Sequence, residues 1–332
     1  MAMKKICFSF LLFACISCQA QNEYKIVNTY HIASPGGWDY IAVNGGKIYV
    51  SHGTQVNILN QVTGDSVGFI PNTNGVHGIA FNNESGRGYT SNGRSNNVTV
   101  FDLKTNRLIA EVATGENPDA ILFEQHTKTI ITCNGRSKNL SVIDPKTNSV
   151  VATIDVGGKP ETAVSDGNGK LFVNIEDKNE IVAVDLKTHS VINHWSLGGA
   201  EGPTGLAYDK STKRLFAGCD KTLVVLNAEN GKVVDKLPIG DGCDGVAFDT
   251  KNRIIFTSNG QSGTISVIKE TSPDKYVVVG NYITKKGART ITIDENAGLL
   301  YLPTADFETG NTQSGRPKMI PGTFQVLVVK KQ

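Results

Sequence analysis

The chain has 332 residues, 39% of them hydrophobic and 19% charged, with 33 Lys+Arg against 31 Asp+Glu. That balance suits a folded globular protein, being too apolar for a disordered chain and lacking the basic excess that marks a nucleic-acid scaffold. No long stretch carries helical periodicity, and short apolar runs broken by turn residues recur throughout, which predicts an all-β protein.

Taken in chain order, residues 1–20 read as an export signal. Lys4 and Lys5 form a positive start, residues 6–16 a mainly apolar stretch too short to span a bilayer, and Cys18-Gln19-Ala20 a small-x-small cleavage site. Ser17-Cys18 and Leu12-Phe13-Ala14-Cys15 also resemble a bacterial lipobox, so soluble export and a lipid anchor on the outer membrane both stand open. Membrane contact is expected only through such an anchor. Cleavage removes two lysines and no acid, which leaves a mature formal charge of zero and makes nucleic acid an unexpected partner. Three cysteines remain, Cys133, Cys219 and Cys243, so no disulfide framework is expected, although a Cys219–Cys243 pair stays open.

Residues 21–332 are built from a repeat of about forty residues. One copy reads HGIAFNNESGRGYTSN from His77 and NVTVFDLKTNRLIAEVATG from Asn97; the next reads DAILFEQHTKTIITCN from Asp119 and NLSVIDPKTNSVVATIDVGG from Asn139. Each holds four runs of strand-forming residues, and a repeat of this length with four strands predicts a β-propeller blade. Seven first strands open at DYIAV (Asp39), HGIAF (His77), DAILF (Asp119), ETAVS (Glu161), TGLAY (Thr204), DGVAF (Asp244) and RTITI (Arg289). The seventh copy stops without a fourth strand, while YKIVNTYHIAS from Tyr24 fits the fourth-strand pattern with no blade before it. The N-terminal strand is therefore predicted to close a seven-bladed ring, which removes the exposed sheet edge. Such a ring is expected to be a monomer.

The pattern P-x-G/A-I/L-A-F/Y, R-L/I-Y/F-V/T-S-N, V-S/T-V-I/F-D and T-N-x-V-V-A-x-I resembles the YVTN family of propeller repeats over nearly all of residues 21–332. The ending, from LLYLPTADFE at Leu299 to PGTFQVLVV at Pro321, is similar to the terminal blade of the exported bacterial, YncE-like members of that family. The resemblance implies a fold and an exported location more than an activity. Blade 1, with Trp38 in the proline place, and blade 4, with NIEDKN in place of SNG, depart most from the pattern.

In a propeller the starts of the first strands meet around one channel mouth, which collects Asp39, His77, Asp119, Glu161, Thr204, Asp244 and Arg289. The ends of the second strands, His52, Asn92, Asn134, Ile175 or Glu176, Cys219, Asn259 and Thr304, are expected at the same face. Crowded carboxylates either take up protons or hold a cation. Arg289 and a protonated His77 offset two of four, and a set of Asp39, Asp119, Glu161 and Asp244 suits Ca²⁺ or Mg²⁺. The ring is similar in residue type to the mouth of propeller lactonases. That likeness implies a metal-dependent hydrolase or lyase with His52 or His77 as general base, beside the plainer expectation of a binding or scaffold module for a small ligand or an envelope protein. Against both stands a structural alternative: a polar residue suits any solvent-filled entrance, and the Asn of SNG serves its turn.

Arg94 and Arg136 follow two of those turns as candidate anion contacts, while His31, His126, His189 and His194 fall on outer strands or turns. The one long insertion, residues 305–322, carries Asp306, Glu308, Arg316 and Lys318 and is expected to cover the mouth as a lid.

Overall fold

A computed structural model describes residues 23–308 and 318–332; residues 1–20, read above as an export signal, and the tip of the insertion, including Arg316, lie outside them. The described residues form seven four-stranded antiparallel sheets, a seven-bladed β-propeller, with one 3₁₀ turn at Glu176–Lys178. Blade 1 runs Trp38–Asn44, Lys47–His52, Gln55–Asn60 and Ser66–Ile70 from the axis outward.

The strand sequences fit their radial places. Second and third strands such as Lys170–Ile175 and Glu180–Asp185 are packed on both faces by neighbouring blades, so they read as continuous apolar runs rather than alternating ones. Fourth strands face solvent on the rim, and Ser149–Asp155 accordingly alternates exposed and half-buried residues until Ile154. Between third and fourth strands, the D-x-K-T motif makes the turn: Asp102 Oδ1 accepts from the Lys104 and Thr105 amides at 3.0 and 2.7 Å. Asn106, Asn148 and His189, at φ of 59°, 52° and 53°, then take the left-handed step of the equivalent turns.

The core is a ring of inter-blade clusters rather than one centre. One joins Ile131, Leu140 and Val142 to Leu171, Val173 and Val182; another joins Tyr30, Trp38 and Val50 to Tyr301, Phe324 and Val326 across the closing seam. At that seam Tyr24–His31 pairs antiparallel with Gln325–Lys331 and supplies the fourth strand of blade 7.

The insertion leaves the end of Leu299–Thr304 and returns at Gln325–Lys331. Its base is a short antiparallel stem: Phe307 pairs with Met319, the Glu308 amide donates to the Lys318 carbonyl, and the Ile320 amide donates to the Asp306 carbonyl, both at 2.8 Å. Phe307 and Met319 pack into the Trp38 cluster, and Lys285 pairs with Asp306. Cys133, Cys219 and Cys243 are buried free thiols, and His31, His126, His189 and His194 are exposed.

Candidate binding site at the channel mouth

The mouth residues are positioned by backbone rather than by side-chain packing. Ser91 and Ser258, next to last in their second strands, donate to the carbonyls of Asp119 and Arg289 on the following blade. Asn174, at the same place in blade 4, donates through Nδ2 to the Thr204 and Gly205 carbonyls at 3.0 Å. In this way each of three blades holds the mouth residue of the next. Close approach of the inner strands needs small residues; a Cβ on Gly205 would lie 2.6 Å from the Val246 nitrogen.

The ring side chains fall into three charge groups. Arg289 donates through Nε to Asp244 at 2.8 Å and through Nη2 to Asp39 at 3.3 Å and to the Trp38 carbonyl at 2.7 Å. Its guanidinium carbon lies 5.8 Å from the centre of the Trp38 ring, which explains the aromatic residue in the proline place of blade 1. Lys159 pairs with Glu161 at 2.6 Å and with Glu176. His77 is held through Nδ1 by Asp39 Oδ2 at 2.5 Å and lies 3.9 Å from Asp119. Its Nε2 rests against Gly93 and has no hydrogen-bond partner among the described residues.

Asp119 is the acid left over. Its side chain is 14% exposed and receives no hydrogen bond among the described residues. Burial, then the charges of Asp39 and Asp244, push its carboxyl up to about 7, with His77 opposing. Burial and then Asp119 also press Glu161 upward, to about 8, against the opposing Lys159 ammonium 2.6 Å away. For His77, burial favours the neutral ring, yet the Asp39 hydrogen bond and the charges of Asp119, Asp39 and Glu161 prevail and raise its pKa. Asp244 is raised by burial despite Arg289. Asp39, His77 and Asp119 each offer a donor atom within 4.8 Å of the others.

Of the ends of the second strands only the half-buried Glu176 joins this ring, through Lys159; the others are buried. Asn92, Asn134 and Asn259 are all 0% exposed and staple their own blades. Asn134 accepts from Thr132 and donates to Asn139 and Ser141, each at 2.9 Å, and Asn92 and Asn259 repeat the pattern. The ligand contact expected of them is replaced by this structural one. His52 is likewise buried: Nδ1 meets Ser34 Oγ at 2.7 Å, Nε2 meets the Gly36 carbonyl at 2.8 Å, and the ring stacks on Phe324 at 3.9 Å. With both nitrogens engaged it is no free base. Thr204 turns its hydroxyl to the Cys243 carbonyl at 2.7 Å, and Arg94 and Arg136 are exposed.

Two residues of the site were not singled out from the sequence. Lys159 lies in the loop before the fourth inner strand, two places ahead of Glu161, and balances the Glu176 that blade 4 carries in its departure from SNG. Tyr40 follows Asp39 where the other six copies carry Gly78, Ala120, Thr162, Gly205, Gly245 and Thr290, and this break in size was the available signal.

No family model and no curated protein sequence matches the chain. Among solved structures, a chain of Kuenenia stuttgartiensis hydrazine synthase superposes with a TM-score of 0.72 at 15% identity, covering 87% of this chain and 97% of that one. The WD40 repeats of RRP9 superpose with a TM-score of 0.75 at 10% identity, covering 93% and 98%. At such identities the likeness is one of fold, and it agrees with the strand order in making this chain a seven-bladed β-propeller.

Proposed function

We propose that the chain is a YVTN-type propeller of the cell envelope, exported through residues 1–20 to the periplasm or to a lipid anchor, and that it works as a binding module. Its ligand is a small cation or cationic group held at the mouth. The observation that carries this is the convergence of Asp39, His77 and Asp119 with donor atoms within 4.8 Å of one another, while Asp244 and Glu161 are engaged by Arg289 and Lys159. A lactonase-like shell of Asp, Glu and Asn does not fit, since the asparagines are spent on their own blades. An imidazole beside two carboxylates suits Zn²⁺ or Mn²⁺ better than the Ca²⁺ or Mg²⁺ that an all-oxygen set favours. A cation between the three takes the place of the proton that His77 Nδ1 shares with Asp39, so binding releases a proton and weakens as pH falls.

The test is calorimetric titration of chelator-treated protein with Zn²⁺, Mn²⁺ and Ca²⁺, in parallel with Asp119→Asn and His77→Gln. Saturable binding lost in both variants is expected; no binding by the parent protein, or equal binding by the variants, rejects the site. A second reading, a hydrolase or lyase, draws on the Asp39–His77 pair, because a carboxylate on Nδ1 with Nε2 unpartnered is the arrangement of a general base. It requires metal-dependent turnover of a lactone or ester that disappears in His77→Gln.

A further inference from the structure

Tyr40 is the one large side chain at a position where six blades carry glycine, alanine or threonine. Its hydroxyl lies 3.4 Å from Thr162 Oγ1, so a side chain rooted in blade 1 reaches blade 4 on the far side of the axis. There it packs against the cluster shared by blades 3 and 4, which includes Ala120, Cys133 and Ala163. Tyr40 directly follows Asp39, and the Thr162 that its hydroxyl approaches directly follows Glu161, so the phenol runs between the strands that carry two of the mouth acids. A ring assembled with small residues at all seven positions would leave an open axial passage, and one tyrosine spans it.

We infer that Tyr40 bars the axial channel and makes the mouth a blind cup, open on one face, whose floor keeps water from reaching the acids from below. The inference rests on the mouth being the binding site and names the residue that tunes it. Water beneath Asp119 would screen its field, whereas a phenol in that place leaves the charge in a poorly screened setting where a cation is held more strongly. Tyr40 is not a ligand to the cation; it is a positioning residue that governs access and solvation.

The experiment pairs Tyr40→Phe, which keeps the bar and removes the hydroxyl, with Tyr40→Thr, which restores the residue of blades 4 and 7. Zn²⁺ is titrated into each by calorimetry, and crystal structures of the parent protein and the variants are inspected for water along the axis. Expected are Zn²⁺ affinity within about twofold of the parent in Tyr40→Phe, a loss of about tenfold or more in Tyr40→Thr, and water running past position 40 in the latter alone. Unchanged affinity in folded Tyr40→Thr overturns the inference and leaves the mouth site standing. Failure of the parent protein to bind Zn²⁺, Mn²⁺ or Ca²⁺ overturns the mouth reading instead. Even if Tyr40→Thr does not fold, a continuous file of water past Tyr40 in the parent protein refutes the bar, and a dry interruption there supports it.

Discussion

Asp119 shows how a single side chain makes the mouth sensitive to its medium. Its carboxyl is raised to about 7 by burial and by Asp39 and Asp244, so between its unfolded value near 4 and that folded value the native state binds the extra proton. Stability from this group therefore falls as pH rises through that window. His77, raised above its ordinary value, contributes below about 6.5 and loses that contribution as pH climbs through its folded value, which is the same direction. Asp102, Glu124, Asp177 and Asp209 are lowered, chiefly by hydrogen bonds; their contribution is complete above the unfolded value and is lost only in acid. The metal-free protein should thus melt at a progressively lower temperature between about pH 5 and pH 8, and Asp119→Asn should flatten that slope and raise the melting temperature at the alkaline end. A variant with the parent's slope would show that Asp119 is not the group concerned. Seven ring residues were legible because alignment of the seven copies placed them at one register. Tyr40 was not, because it stands one place further along, where the copies agree on being small and a single exception looks like ordinary variation.

At the scale of the element, the asparagine that ends three of the second strands illustrates why a repeated polar residue misleads. Its position at a strand end suggests a ligand contact, but full burial obliges every polar atom to find a partner within the blade. Asn134 does so by joining three side chains on two strands: Thr132 on its own strand, and Asn139 and Ser141 on the next. Replacing it with alanine leaves those three groups short of a partner in a dry setting and should cost about 2–4 kcal/mol, read as a lower denaturant midpoint at unchanged slope. Cation binding at the mouth should survive in the folded fraction, since Asn134 is no part of the Asp39, His77 and Asp119 set. A simultaneous loss of binding and stability would return Asn134 to the site. The turn chemistry was legible at this scale, since D-x-K-T followed by Asn or His is a local signal, whereas the staple depends on register between strands that spacing alone does not show.

At the scale of the whole molecule, the ring is closed by a strand from the opposite end of the chain. Tyr24–His31 completes blade 7, and Tyr24 lies 5.3 Å from Phe256 and 5.5 Å from Tyr282 of blade 6, so the same strand seals both its own sheet and the seam beside it. This closure was readable in advance because an orphan fourth strand and an incomplete seventh copy are complementary absences. What it means physically is that the first and last strands are covalently distant yet neighbours in space: Tyr24 sits opposite Lys331, and the Gln332 amide donates to the Glu23 carbonyl at 2.8 Å. A chain beginning at residue 33 should therefore lose the cooperative transition, since the edge of Gln325–Lys331 and the apolar faces of Leu327 and Val329 become unpaired. Returning residues 23–32 after Gln332 through a short Gly-Ser turn should restore it, because the permuted order asks for no longer connection than the 2.8 Å contact already made. Thermal unfolding of the truncated and permuted chains checks both halves. If the truncated chain melts like the parent, the ring does not depend on its closing strand; if the permuted chain fails to fold while the truncated one also fails, the strand's role lies in early folding rather than in sealing the finished ring.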